Sequence, residues 1–135
     1  MKPQKTDLVA VHAAKPKETP IFLSLVRELA DYEGLPGPAK QARRRLIRDG
    51  FGQTRRFDAY FGCLEGMAVG YSVVLETYST FLAKPTLYLE DIFVLPEYSR
   101  SGVGQALLKH AIGLANPKKC GRMERSVLDW NKSAR

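Results

Sequence analysis

Glu90 and Asp91 lie side by side in the run Leu87-Tyr88-Leu89-Glu90-Asp91-Ile92-Phe93-Val94, and Gly102 and Gly104 follow shortly after it. The whole stretch reads as a strand, a short loop and a helix start marked by glycine. A junction of this kind turns several backbone N–H groups and the positive end of a helix toward one point, the arrangement that holds a phosphate or pyrophosphate. Carboxylates just upstream supply a group able to take a proton. Together these features imply a nucleotide-like cofactor used in proton-transfer chemistry. Glycine spacing alone would not carry that reading. Leu107 stands where a dinucleotide fingerprint has its third glycine, and no lysine-bearing phosphate loop is present.

The elements that must position these residues follow from periodicity and breakers. Leu8 to Ala13 suits a first strand, and Thr19-Pro20 supplies an N-cap and a first-turn proline for a helix. Ile21, Phe22, Leu25, Val26 and Leu29 then recur at helical spacing and define one buried face, ending near Tyr32-Glu33 before the breaker-rich Gly34-Leu35-Pro36-Gly37-Pro38. A short basic helix is predicted from Ala39 to Asp49, closed by Gly50. Phe57 to Leu64 and Met67 to Thr77 read as strands joined by a tight turn at Glu65-Gly66, and Thr86 to Val94 as a fourth strand. Strict alternation would send Glu90 and Asp91 to opposite faces of that strand, so they do not read as a two-carboxylate pair. Val103, Ala106, Leu107, Ala111 and Leu114 line a third helix that starts at Gly102 and stops at Asn116-Pro117, and Arg122 to Asp129 forms a fifth strand. A strand, helix, strand order of this length implies a parallel crossover attached to an antiparallel run. The fold class is therefore α/β with a mixed sheet.

Bulk composition bounds the function. The 135 residues suit one domain spanning 1–135, and 44% hydrophobic content is enough for a single core. No apolar run approaches the roughly 20 residues of a membrane helix, and the N-terminus leads into no signal-type stretch, so a cytosolic protein without a membrane partner is expected. Cys63 and Cys120 lack zinc spacing and read as reduced thiols, with no metal implied. The net charge of +7 favours anionic partners. Lys40, Arg43, Arg44, Arg45, Arg48, Arg55 and Arg56 point in several directions and read as a solvated face; a nucleic-acid binder would need an aromatic stacking pattern that this chain lacks. His12 and His110 have no nucleophile partner or ligand spacing, and His110 near the apolar stripe of its helix reads as structural.

The full string from Leu87 to Leu108 resembles the cofactor motif of the GNAT superfamily of N-acetyltransferases: Arg or Gln, two residues, Gly, one residue, Gly or Ala, on the turn that binds the pyrophosphate of acetyl-coenzyme A. The run from Tyr88 to Val94, Arg27-Glu28-Leu29-Ala30-Asp31-Tyr32-Glu33, Asp49-Gly50-Phe51-Gly52 and Val127-Leu128-Asp129-Trp130-Asn131 are similar to the diamine and thialysine acetyltransferase branch. The motif's first position is Ser99 here, with an arginine one place later at Arg100. Because backbone amides do most of the binding, the departure implies weaker affinity and not a lost site.

The resemblance implies roles residue by residue. Arg100, Ser101, Gly102, Val103, Gly104 and Gln105 would ring the pyrophosphate, the backbone of Ile92, Phe93 and Val94 would meet the pantetheine arm and thioester, and Asn131 would contact the cofactor. Tyr32, Glu33, Glu90, Asp91, Glu124, Arg125 and Ser126 would line the acceptor pocket. An alkyl ammonium has an ordinary pKa near 10.4 and must lose a proton before it attacks a thioester. Glu90, partly buried beside Asp91, is the candidate base, directly or through a water; an ion pair with a nearby arginine is the structural alternative. The expected activity is direct acetyl transfer to a primary amine of a small molecule, a diamine or lysine analogue, by a homodimer. The chain ends at Arg135, inside what the resemblance makes the helix after strand five, so the family's tyrosine acid and last strands fall beyond it. Weak turnover is the expectation, and a non-catalytic coenzyme A-binding remnant or dimerisation module is the alternative.

Overall fold

The computed structural model describes residues 8–115 and the strand Met123–Arg125. One five-stranded sheet runs in the order β1 (Val9–Ala13), β2 (Asp58–Leu64), β3 (Met67–Ser79), β4 (Lys84–Val94), β5 (Met123–Arg125). The first four strands are successively antiparallel and β5 pairs parallel to β4. Helices α1 (Thr19–Tyr32) and α2 (Lys40–Phe51) come between β1 and β2, and α3 (Val103–Ala115) lies between β4 and β5. The mixed α/β arrangement read from the sequence is the one observed.

Alternation along β2 sorts the core into two layers. Ala59, Phe61 and Cys63 pack with Phe22 and Leu25 of α1, while Tyr60 and Leu64 join the clusters formed with α3. On that second face an added Cβ at Gly62 would run into Val103 and lie 3.0 Å from Leu107 Cδ1, so the missing side chain is what lets α3 sit down on the sheet. Phe22 is the hub of the first layer, edge-on to Phe51 and Tyr71 and stacked with Phe57. Ile21, expected on the buried face of α1, is 43% exposed; Val26 and Leu29 pack against the core as the period requires.

Several boundaries move for identifiable reasons. A 3-10 turn, Pro16–Glu18, precedes α1, so Thr19 is helical and Glu18 takes the N-cap position. Helix α2 runs through Gly50 to Phe51, because Gly50 is buried for close packing and does not terminate the helix: an added Cβ would meet Phe57 Cζ at 2.5 Å. The end falls at Gly52, whose amide reaches Arg48 O at 3.0 Å. Glu65 and Gly66 both have positive φ, 51° and 83°, the pair of conformations that a two-residue hairpin turn demands. The next hairpin is longer than the sequence indicates, with β3 reaching Ser79 and β4 starting at Lys84. The predicted stop of α3 at Asn116-Pro117 and most of the predicted strand from Arg122 to Asp129 lie outside the described residues.

Candidate active site

The two halves of the site are the β4 bulge and the β4–α3 junction. In the β3–β4 ladder Val74 pairs with Leu89 and Val73 with Asp91, which leaves Glu90 without a partner. Packing shows what the extra residue does. Leu87 and Leu89 belong to the α3-side core, and Ile92 and Val94 pack on that side as well. Phe93 lies in the opposite layer with α1. Two residues, Glu90 and Asp91, therefore separate same-face neighbours where strict alternation allows one, and both turn toward the α1 side. This corrects the expectation that they face opposite ways.

Burial then divides their labour differently from the sequence reading. Glu90 is exposed, while Asp91 is half-buried beneath it. Tyr71, fully buried on β3, donates its hydroxyl to Asp91 Oδ2 at 3.2 Å. Burial pushes the Asp91 carboxyl up, the charge of Glu90 adds to this, the Tyr71 hydrogen bond works against it, and the charge of Glu33 raises it again, leaving Asp91 at about 6. Burial and the same carboxylates push the Tyr71 hydroxyl well above the usual tyrosine value, so it remains a donor. The carboxylate perturbed by its surroundings is Asp91, whereas the sequence reading placed the partly buried group at Glu90.

Helix α1 delivers Glu33 and Tyr32 to the same place. Its last turn closes with Leu35 N–H to Ala30 O at 2.8 Å and Gly34 N–H to Asp31 O at 3.1 Å, with Gly34 at φ 70°. That termination fixes Glu33 at the helix end, and the Tyr32 ring lies 6.1 Å from that of Phe93. Three carboxylates, Glu33, Glu90 and Asp91, thus lie close enough for the charges of the first two to act on the third, an acidic cluster suited to a cationic amine. Glu124 and Arg125 are placed only by their backbone, opposite Tyr88 and Leu89. Ser126 and Asn131 lie outside the described residues.

The second half is the helix start. Leu95 N–H bonds Val69 O at 2.8 Å, pinning the chain where it leaves β4, and the turn Pro96–Tyr98 leads to Gly102 at φ 91°. The first intrahelical bond of α3 runs from Ala106 N–H to Gly102 O at 3.1 Å, so the amides of Val103, Gly104 and Gln105 have no helical acceptor. Ser101 Oγ donates to Tyr98 O at 2.7 Å and accepts from Val103 N–H at 3.4 Å, and its own amide bonds Tyr98 O. Ser101 therefore shapes the loop and covers one amide, leaving those of Gly104 and Gln105 facing outward. No atom lies within 4 Å of where a Cβ at Gly102 would stand, and at Gly104 only Val94 Cγ2 does, at 3.6 Å. Such open backbone at a helix N-terminus fits a pyrophosphate. Among the described residues β5 pairs with β4 as far as Leu89, while Asp91 to Val94 pair with β3. Every second residue of such a strand presents its peptide groups to the other edge, the direction a pantetheine amide would need.

Comparison with known proteins decides the family. Residues 23–135 match the acetyltransferase (GNAT) family. The chain is an N-acetyltransferase of the GNAT family. It is 36% identical to the thialysine N-epsilon-acetyltransferase of Bos taurus over 93% of this chain and 78% of that protein. It is 28% identical to the human spermidine/spermine N(1)-acetyltransferase-like protein 1 over 99% of this chain and 20% of that one. Among solved structures, an aminoglycoside acetyltransferase from an uncultured soil metagenomic sample, in complex with sisomicin, superposes with a TM-score of 0.77 at 16% identity, covering 98% of this GNAT chain and 90% of the other. That likeness speaks for the fold.

The remaining singled-out residues stay apart from the site. His110 packs its ring 4.4 Å from that of Tyr60, and burial lowers its pKa, in keeping with a structural role. His12 Nε2 lies 3.5 Å from Cys63 Sγ toward the β1 edge of the sheet, away from β4, where burial pushes the Cys63 thiol up. On α2, Arg43, Arg44, Arg45 and Arg48 are exposed, and Arg48 is engaged by Asp49 at 2.9 Å. Among the described residues no cluster suited to a metal occurs, and no helix is long and apolar enough to cross a membrane. Sequence reasoning missed Tyr71, whose only signal is a tyrosine in the mostly apolar first part of its strand.

Proposed function

We propose that this GNAT enzyme transfers the acetyl group of acetyl-coenzyme A to a primary amine of a small molecule, a diamine or a lysine analogue. The observation that carries the reading is the acidic cluster of Glu90 and Asp91 on β4 with Glu33 from the end of α1, since β4 is the strand that leads directly to the helix start with its unbonded amides of Gly104 and Gln105. In this reading the acidic cluster attracts an alkyl ammonium, and Glu90, exposed at the bulge, accepts its proton directly or through a water. The neutral nitrogen attacks the thioester carbonyl, a C–N bond forms and the C–S bond breaks. The coenzyme A thiolate leaves as an anion of moderate basicity, since an ordinary thiol has a pKa near 8.5.

The thialysine acetyltransferase relatives support a lysine analogue of the thialysine type as acceptor. A single cytosolic domain acting as a homodimer completes the proposal; Tyr78, Phe81 and Leu82, exposed near the β3–β4 turn, offer apolar surface for self-association. Thiol release from acetyl-coenzyme A with thialysine, ornithine, putrescine and spermidine tests the activity, and sedimentation tests the dimer. Tight coenzyme A binding with no amine acetylated would reject the enzyme in favour of a binding module.

A further inference from the structure

The geometry points to Tyr71 as a positioning residue of the acceptor site: its buried hydroxyl orients the Asp91 carboxylate beside Glu90 and favours the ionised form that attracts a cationic amine to the acidic cluster. This rests on the reading of Glu33, Glu90 and Asp91 as the acceptor site. Three observations support it. Tyr71 has 0% exposure and its ring is wedged among Phe22 and Phe93, at centroid distances of 5.6 and 6.3 Å, so its hydroxyl has little freedom to point elsewhere. That hydroxyl donates to Asp91 Oδ2 at 3.2 Å. The bulge puts Asp91 on the Tyr71 side of the sheet, where a regular ladder would seat only one of the two acidic residues.

The groups acting on Asp91 come from three elements: Glu90 on its own strand, Glu33 at the end of α1 and Tyr71 on β3, while β5 is paired with β4 no further than Leu89 in the described residues. Burial and both carboxylates oppose ionisation, and Tyr71 alone among them favours it. With Asp91 at about 6, its carboxylate is mostly ionised at neutral pH and loses its charge as the medium becomes more acidic. Tyr71 thereby sets the pH at which the Asp91 contribution to attracting the amine is lost.

Tyr71→Phe removes one oxygen and keeps the ring, so the core packing is retained. Without the hydrogen bond to the charged form, the Asp91 titration moves to higher pH. Carbon-detected NMR titration of the Asp91 carboxyl in both proteins reads this without any turnover; a midpoint unchanged or lowered in the variant overturns the inference. In kinetics, kcat/KM for the amine falls by up to about tenfold near pH 6.5, the scale of one hydrogen bond to a charged group, and recovers toward wild type at pH 8.5, with KM for acetyl-coenzyme A unchanged. A loss equal at both pH values means Tyr71 only packs. Should Tyr71→Phe not fold, Asp91→Asn serves: it raises the amine KM above pH 6 and leaves that for acetyl-coenzyme A alone, and an unchanged amine KM refutes the inference. A wild-type protein that acetylates nothing while the NMR midpoint still moves would reject the proposed reaction and keep the Tyr71–Asp91 pair.

Discussion

Asp91→Asn should make the protein more stable at neutral pH while making it a poorer enzyme. The carboxyl stands at about 6 in the folded chain against an ordinary 3.8, so the folded state binds its proton more tightly than the unfolded state does. For a raised carboxyl the stabilising contribution is present below about pH 4 and is lost as pH climbs through 6; above that, the ionised and half-buried group works against folding. A displacement of roughly two pH units corresponds to up to about 3 kcal/mol. Asparagine has nearly the same shape, carries no charge and keeps a carbonyl oxygen for the Tyr71 hydroxyl. Urea unfolding of both proteins from pH 4 to 8 should give curves whose stability gap opens between pH 4 and 6.5 and then levels off in favour of the variant. At pH 7.5 the same gap is a rise in Tm on the order of 10 °C for a chain of this size. A difference that is flat with pH, or that favours wild type at pH 7.5, would refute the electrostatic account of Asp91.

Glu90→Gln should lower kcat by ~10²–10⁴ with coenzyme A affinity nearly intact, since the side chain is exposed and its removal disturbs no packing; wild-type rates between pH 7 and 9 would make the carboxylate dispensable. Gly104→Val has room for its Cβ against Val94 Cγ2 at 3.6 Å, so the fold should survive while calorimetry shows coenzyme A binding lost. Gly62→Ala should cost about 1–3 kcal/mol in urea unfolding by lifting α3 off the sheet at Val103 and Leu107.

Much of this was legible in the residues because periodicity and breakers are local signals. The hairpin at Glu65-Gly66, the helix start at Gly102 and the apolar stripe of Val103, Leu107 and Ala111 each need only neighbours in sequence to be read. Gly50 misled because a glycine that terminates a helix and one that admits an aromatic ring look alike until Phe57 is seen against it. The orientation of Glu90 and Asp91 misled for a related reason: alternation is a rule for regular strands, and the bulge breaks it. A trace does exist in the sequence. Leu87 and Leu89 are two apart, Ile92 and Val94 are two apart, and the step between the pairs is three. Tyr71 was invisible as a functional residue because its partner lies across the ladder, twenty positions away.

The bulge also means that the proposed catalytic arrangement differs from a regular sheet by a single residue. Deleting residue 90 would let Leu89 and Asp91 follow each other opposite Val74 and Val73, restoring an uninterrupted ladder with every other side chain still on its own face. The position most important to the proposed chemistry is thus the one the architecture can most readily do without, so a lineage could lose or regain its proton acceptor by a three-nucleotide deletion or insertion and leave the remainder of the gene untouched.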